Sequence, residues 1–154
     1  MRRKDREVTT MEDMMKIMEA CDVCRIAINH GGYPYIVPLN FGIGKEGDRT
    51  VLYFHSAMEG MKVNLIAEDN RAGFEMDYNE GLVMDREHKN CSIAYRSVMG
   101  RGHIEEVPDE EKYDALCCLM GHYHQEEFPI NEKMISVTKV YKLVIEEMTG
   151  KARR

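Results

Sequence analysis

The sequence predicts a mainly β protein, a small antiparallel barrel with helices at its periphery. About six segments read as strands against two or three helices. Several connections are of hairpin length, which suits antiparallel neighbours. Together these fit a barrel better than a doubly wound sheet. A length of 154 residues favours one core, so residues 1–154 are expected to form a single domain.

Thr10 to Asp13 matches a helix-start signal, and "MEDMMKIMEA" sets Met14, Ile17 and Met18 on one face of a helix ending near Cys21. Residues 24–29, "CRIAIN", read as a strand and His30 to Gly32 as a tight turn. "YPYIVPLNFGIG", residues 33–44, reads as the hairpin partner. Pro34 and Pro38 lack a ladder donor, which points to an edge, a bulge or a backbone that faces a ligand. A third strand spans 49–56, followed by a short helix with Val63, Ile66 and Ala67 inward and a fourth strand over 71–78.

Residues 79–92 are polar and read as an irregular loop, long enough to have a task or a partner to lie against. A long strand over 93–107 follows, in which Gly100 and Gly102 allow a bend or bulge. Pro108 and Asp109 open a second helix with Tyr113, Leu116, Cys117 and Met120 as its buried face. Residues 136–148 form the last strand, followed by "TGKARR".

Net charge is −6, which argues against a general nucleic-acid surface, although basic residues gather at the ends (Arg2, Arg3, Lys4; Lys151, Arg153, Arg154). No apolar run approaches the ~20 residues of a membrane span, and the N-terminus is too polar for a signal peptide. A cytoplasmic location without membrane contact is the expectation. Five cysteines without a secretion signal argue for free thiols.

The stretch "LYFHSAMEGMKVNLI", residues 52–66, carries the strongest chemical signal. His55 and Ser56 fall where a strand ends, and Lys62 sits in the first turn of the next helix. A helix N-terminus presents unpaired N–H groups and partial positive charge, so the trio reads as an anion site. Read from spacing alone, it is equally a solvated helix start with its lysine in water.

Cys21, Cys24, Cys117, Cys118, His122 and His124 could in principle ligate zinc. Their spacing argues against it: the first pair straddles a helix–strand junction, and adjacent Cys117 and Cys118 point about 100° apart on a helix. No metal is expected, and residues 122–124 read as an exposed helix cap. No G-x-S-x-G or H-E-x-x-H occurs, and the G-x-G-x-x-G of Gly42, Gly44 and Gly47 lies in a hairpin rather than opening a helix.

Five segments taken in order resemble one family: "RRKDREV" (2–8), "YIVPLNFG" (35–42), "LYFHSAMEGMKVNLI", "YRSVMGRGHIEEV" (95–107) and "EEMTGK" (146–151). They resemble the pyridoxamine 5'-phosphate oxidase-like FMN-binding split barrels, in the branch associated with 5-nitroimidazole resistance. The resemblance implies a six-stranded antiparallel split β-barrel that forms a homodimer with two flavin sites at the subunit interface. It implies that Pro38, Leu39 and Asn40 line the isoalloxazine with backbone groups. His55, Ser56 and Lys62 would surround the phosphate, with Asn64 nearby, and His55 would be the catalytic residue. Tyr95, Arg96, Ser97 and Val98 would lie near the dimer interface and the cofactor. Thr149 and Lys151 would close over the flavin, from their own chain or the partner.

The implied function is an FMN-dependent oxidoreductase, a nitroreductase of small nitroaromatics such as 5-nitroimidazoles, with NAD(P)H as electron donor. FAD, haem or a deazaflavin are the cofactor alternatives. A non-catalytic flavin- or haem-binding module for storage, sensing or sequestration is the rival reading. The chain lacks the C-terminal arginine and histidine with which true pyridoxamine phosphate oxidases bind substrate, so vitamin B6 oxidation is not expected. Nor does it carry the tryptophan that related sequences often have around Cys91, Ser92 and Ile93.

Overall fold

Thr10 opens the first helix as its spacing predicts, its Oγ1 accepting the Asp13 N–H at 3.1 Å. The computed structural model describes residues 3–124, 126 and 129–153; Arg2 and Arg154 of the basic ends lie outside them. A two-residue strand β1 (Glu7–Val8) precedes helix α1 (Met11–Glu19), which buries Met14, Ile17 and Met18. Strand β2 (Cys24–His30) turns through Gly31 and Gly32, both at positive φ, into β3 (Tyr33–Leu39). Then come β4 (Gly42–Glu46), β5 (Arg49–Ser56) and helix α2 (Met61–Glu68). Two long strands follow, β6 (Arg71–Asp85) and β7 (Asn90–Glu106). A 3₁₀ turn over Asp109–Glu111 leads into α3 (Lys112–Tyr123), and a short α4 (Glu132–Ile135) precedes β8 (Lys139–Arg153).

The strands form one antiparallel sheet in the order β3-β2-β6-β7-β8-β5-β4, with β1 added against β8. Strands β3 and β4 therefore lie at opposite edges, yet only Asn40 and Phe41 separate them in the chain. The sheet must curl until its two edges meet, and because they do not pair the barrel stays split. Its interior holds Ile26, Ile28, Leu52, Phe54, Phe74, Met76, Val98, Ile104 and Leu143, with α1 and α2 supplying further apolar side chains. Each fully buried side chain of this size contributes about 1.5–3 kcal/mol of transfer free energy.

The split barrel is the predicted fold class with more strands than predicted. The segment 33–44 is not one strand: it breaks at Asn40, and its second half pairs with β5 as a separate edge strand. The prolines do lie on an edge, in β3. Residues 79–92 are not an irregular loop but the outer part of a β6–β7 hairpin, kinked by a bulge between Asn79 and Gly81. Backbone pairing sustains this arm. Both of its faces are exposed, so no alternation marks it.

The expected bulge near Gly100 and Gly102 is present, with the β7–β8 register shifting between Arg101 and Gly102. A Cβ on Gly102 would meet the Val144 carbonyl, so only glycine fits there. Helix α2 buries Leu65 and Ile66; Val63 is part-buried and Ala67 exposed, because so short a helix touches the sheet over a single turn. Helix α3 is rotated from its expected phase. Lys112, Ala115 and Leu119 face inward, Leu116, Cys117 and Met120 are part-buried and Tyr113 is exposed. The cause is Gly42, whose missing Cβ lets the Leu119 backbone lie against β4: a Cβ there would be 2.5 Å from Leu119 Cα.

A charge network braces the outer side of β7 and β8. His103 Nδ1 lies 2.8 Å from Glu146 Oε1, and Nε2 lies 2.9 Å from Glu105 Oε1. Glu105 reaches Lys142, which pairs with Glu46 at 2.7 Å. Only the imidazolium donates at both nitrogens, so Glu146 and then Glu105 hold the His103 pKa above its ordinary 6.5. A raised folded pKa stabilises fully below the unfolded value, and the gain is lost as pH rises through the folded one. His103→Gln is therefore expected to cost roughly 1 kcal/mol or less in acid and nothing well above neutrality, measured by urea unfolding at the two pH values.

Candidate functional site

The site begins where β5 runs out. His55 pairs with Val140 and Ser56 with Lys139, both against β8. Leu52 and Phe54 point into the core, so Ser56 lies on the buried side and His55 on the outer side. Gly60 caps α2 at φ +138, a backbone conformation that glycine tolerates. From the first turn of that helix Lys62 Nζ turns back toward the His55 carbonyl at 3.4 Å and lies 5.7 Å from the centre of the Phe54 ring. Asn64 is exposed on the same helix, its N–H making the first helical bond to Gly60.

Basic groups dominate the first turn of α2, although Glu59 stands just before its Gly60 cap. The first turn of α2 carries no acidic residue. Burial lowers the Lys62 pKa, and burial together with Lys62 lowers that of His55 below 6.5. Above that pH His55 is neutral, with one N–H donor and one acceptor. An ammonium, an imidazole, a hydroxyl and the N–H groups of a first helical turn that holds no acidic residue are a donor set suited to a phosphate.

Residues 38–40 come to the same end of the sheet, because Gly42 pairs with Tyr53 and the chain just before it runs toward His55. Asn40 Nδ2 donates to the Asp22 carbonyl at 3.3 Å. The remaining candidates lie elsewhere. Tyr95 pairs with Arg153, Arg96 with Ala152, Ser97 with Lys151, and Val98 with Gly150. Lys151 Nζ sits 5.5 Å from the Tyr95 ring centre, and hydrogen bonding from it lowers the Tyr95 pKa. Arg96 is held by Glu80 at 2.7 Å, and Val98 is packed in the core.

Within one protomer the two groups are apart. His55 stands opposite Val140 and Met99 opposite Thr149, nine residues further along β8. That is roughly 30 Å of extended strand. One cross-strand row runs over five strands from β3 to β8, Pro38–Arg25–Glu75–Met99–Thr149, so Pro38 and Thr149 share the sheet's outer face. This face forms a trough of about 540 Å³ with an apolar floor that includes Ile36, Met99 and Met148. Arg25 with Glu75, and Arg101 with Glu147, rim it with ion pairs.

The helix end at 122–124 is more than an exposed cap. Tyr123 Oη accepts the Phe41 N–H at 3.0 Å and donates to the Asp22 carbonyl at 2.8 Å. Nothing local marked this, since the partners are 82 and 101 residues away. Cys21 and Cys24 are buried free thiols, their pKa values raised by burial to about 11 and about 12. Among the described residues no group of three or more His, Cys, Asp or Glu is arranged to hold a metal, and no helix is long and apolar enough to cross a membrane.

A family model described as pyridoxamine 5'-phosphate oxidase matches residues 10–152. Among solved structures, a candidate 5-nitroimidazole antibiotic resistance protein from Bacteroides thetaiotaomicron is 32% identical, with TM-score 0.82 over 95% of this chain and 86% of that one. A flavocytochrome from Azotobacter vinelandii is 24% identical, with TM-score 0.79 over 100% of this chain and 72% of that one. An FAD and haem binding protein from Mycobacterium smegmatis is 22% identical, with TM-score 0.80 over 97% and 74%. The last two similarities speak to the fold alone. No curated protein matches the chain. Both the matched span and the 32% identity over nearly the whole length place the chain in one family: it belongs to the pyridoxamine 5'-phosphate oxidase family.

Proposed function

We propose that the chain is a flavin-dependent oxidoreductase that binds FMN and reduces small nitroaromatics such as 5-nitroimidazoles with electrons from NAD(P)H. The observation that carries this reading is the His55, Ser56 and Lys62 turn at a helix start with no acid in its first turn, a donor set that fits a phosphate. The similarity to the candidate nitroimidazole resistance protein supports the choice of substrate class. The flavin, when bound, supplies the electron chemistry. This chain supplies the phosphate end through His55, Ser56, Lys62 and Asn64, and the ring side through the backbone of Pro38, Leu39 and Asn40.

The working unit in this reading is a homodimer. Tyr95, Arg96, Ser97, Val98, Thr149 and Lys151 are too distant to meet the same ligand within one chain, and a second copy brings them to it, Val98 through its backbone because its side chain is packed in the core. The trough around Met99, with its apolar floor and charged rim, has the anatomy of such an interface. His55 orients the ligand, and a proton-donating role follows only when the ligand's negative charge brings its pKa back up.

Steady-state turnover tests the catalytic part. Flavin-loaded protein is expected to oxidise NAD(P)H in the presence of a 5-nitroimidazole well above the rate of free flavin. Bound flavin that is reduced and reoxidised only at background rates, with nitroaromatics and quinones alike, would replace the oxidoreductase with a binding module.

A further inference from the structure

The last turn of α3 grips the chain immediately after the 38–40 segment. One carbonyl, that of Asp22, accepts both the Tyr123 hydroxyl at 2.8 Å and the Asn40 side-chain amide at 3.3 Å. The same tyrosine oxygen takes the Phe41 N–H at 3.0 Å. His122 Nε2 lies 2.8 Å from the Cys21 carbonyl, and its ring centre is 4.4 Å from that of Phe41. Cys118 Sγ donates to the Ile43 carbonyl at 3.2 Å.

Asn40 and Phe41 belong to neither edge strand, so no ladder sets their backbone. Phe41 is 1% exposed, so its N–H has no water to turn to if the tyrosine oxygen is removed. The direction of the chain across the barrel's split is thus set by side chains of α3 rather than by sheet register. We propose that Tyr123, with His122 beside it, is a positioning residue for the flavin. It fixes the Asn40–Phe41 crossing and, through it, the direction of the backbone groups of 38–40. This rests on the flavin reading above.

Tyr123→Phe keeps the ring and removes the hydroxyl. FMN and FAD are titrated by fluorescence quenching into the parent, into Tyr123→Phe, and into Ile28→Val. The last is a core change near the far end of β2 that lowers stability without touching the crossing. The Kd is expected to rise about tenfold in Tyr123→Phe, equivalent to about 1.4 kcal/mol, and to stay within about twofold in Ile28→Val. Amide exchange of Asn40 and Phe41 in the flavin-free variant should quicken as well.

Equal affinity in the parent and Tyr123→Phe, or an equal loss in Ile28→Val, overturns the positioning role and leaves the flavin reading standing. A parent that takes up neither flavin overturns both. If Tyr123→Phe does not fold, His122 decides. Gln keeps a donor near the position of the imidazole Nε2 and should retain affinity that Ala loses, and no difference between the two overturns the proposal.

Discussion

Lys62→Met is expected to weaken FMN binding by about 10- to 100-fold, the loss of one charge-assisted phosphate contact at roughly 1.5–3 kcal/mol. Stability of the flavin-free protein should move the other way. The folded pKa of Lys62 lies below its ordinary 10.5 because burial disfavours the ammonium. A lysine with a depressed pKa costs stability wherever it is charged, and the cost disappears above the unfolded value. Removing it at neutral pH should therefore stabilise the flavin-free protein, by roughly 0.5 kcal/mol at most given solvent screening. A structural lysine would lower stability on removal. The opposed signs, read by flavin titration and urea unfolding, separate a ligand site from a solvated helix start. His55→Ala, read by flavin titration and steady-state turnover, divides its two roles: lost turnover with flavin retained marks chemistry, and lost flavin marks anchoring.

Met99→Asp is expected to split the dimer and abolish flavin binding together. Met99 is 50% exposed on the outer face, between Glu75 and Thr149 on the cross-strand row. A carboxylate there leaves the barrel core untouched and sets a like charge opposite Glu75. Burying it unpaired between two copies costs about 3–5 kcal/mol, roughly a hundred- to a thousand-fold or more in the dimer Kd. Sedimentation should report a folded monomer, and FMN should no longer be retained on gel filtration. A variant that stays dimeric with its flavin would place the interface elsewhere.

Much of the fold was legible because local chemistry and tertiary packing agree. Thr10 caps α1, residues 24–29 alternate, Gly31 and Gly32 turn the chain, and Pro34 and Pro38 sit on an edge strand. The misreadings have physical causes. The arm beyond Asn79 has two exposed faces, so a strand held by backbone pairing left no pattern. The phase of α3 depends on its approach to Gly42, about seventy residues earlier in the chain. Of the site, the strand end, the serine and the helical lysine were readable from spacing. Spacing could not show that Thr149 and Lys151 stand far from His55 in one chain, because that separation is a property of β8 register. The grip of Tyr123 on Phe41 was likewise invisible, being contact without sequence proximity.

Flavin binding by a dimer is tested most directly by the visible absorbance spectrum of the protein after incubation with FMN and gel filtration. The protein is expected to be yellow, the flavin bands eluting with a dimer that carries one flavin per chain. A colourless protein, with all the flavin in the small-molecule fraction, would contradict it.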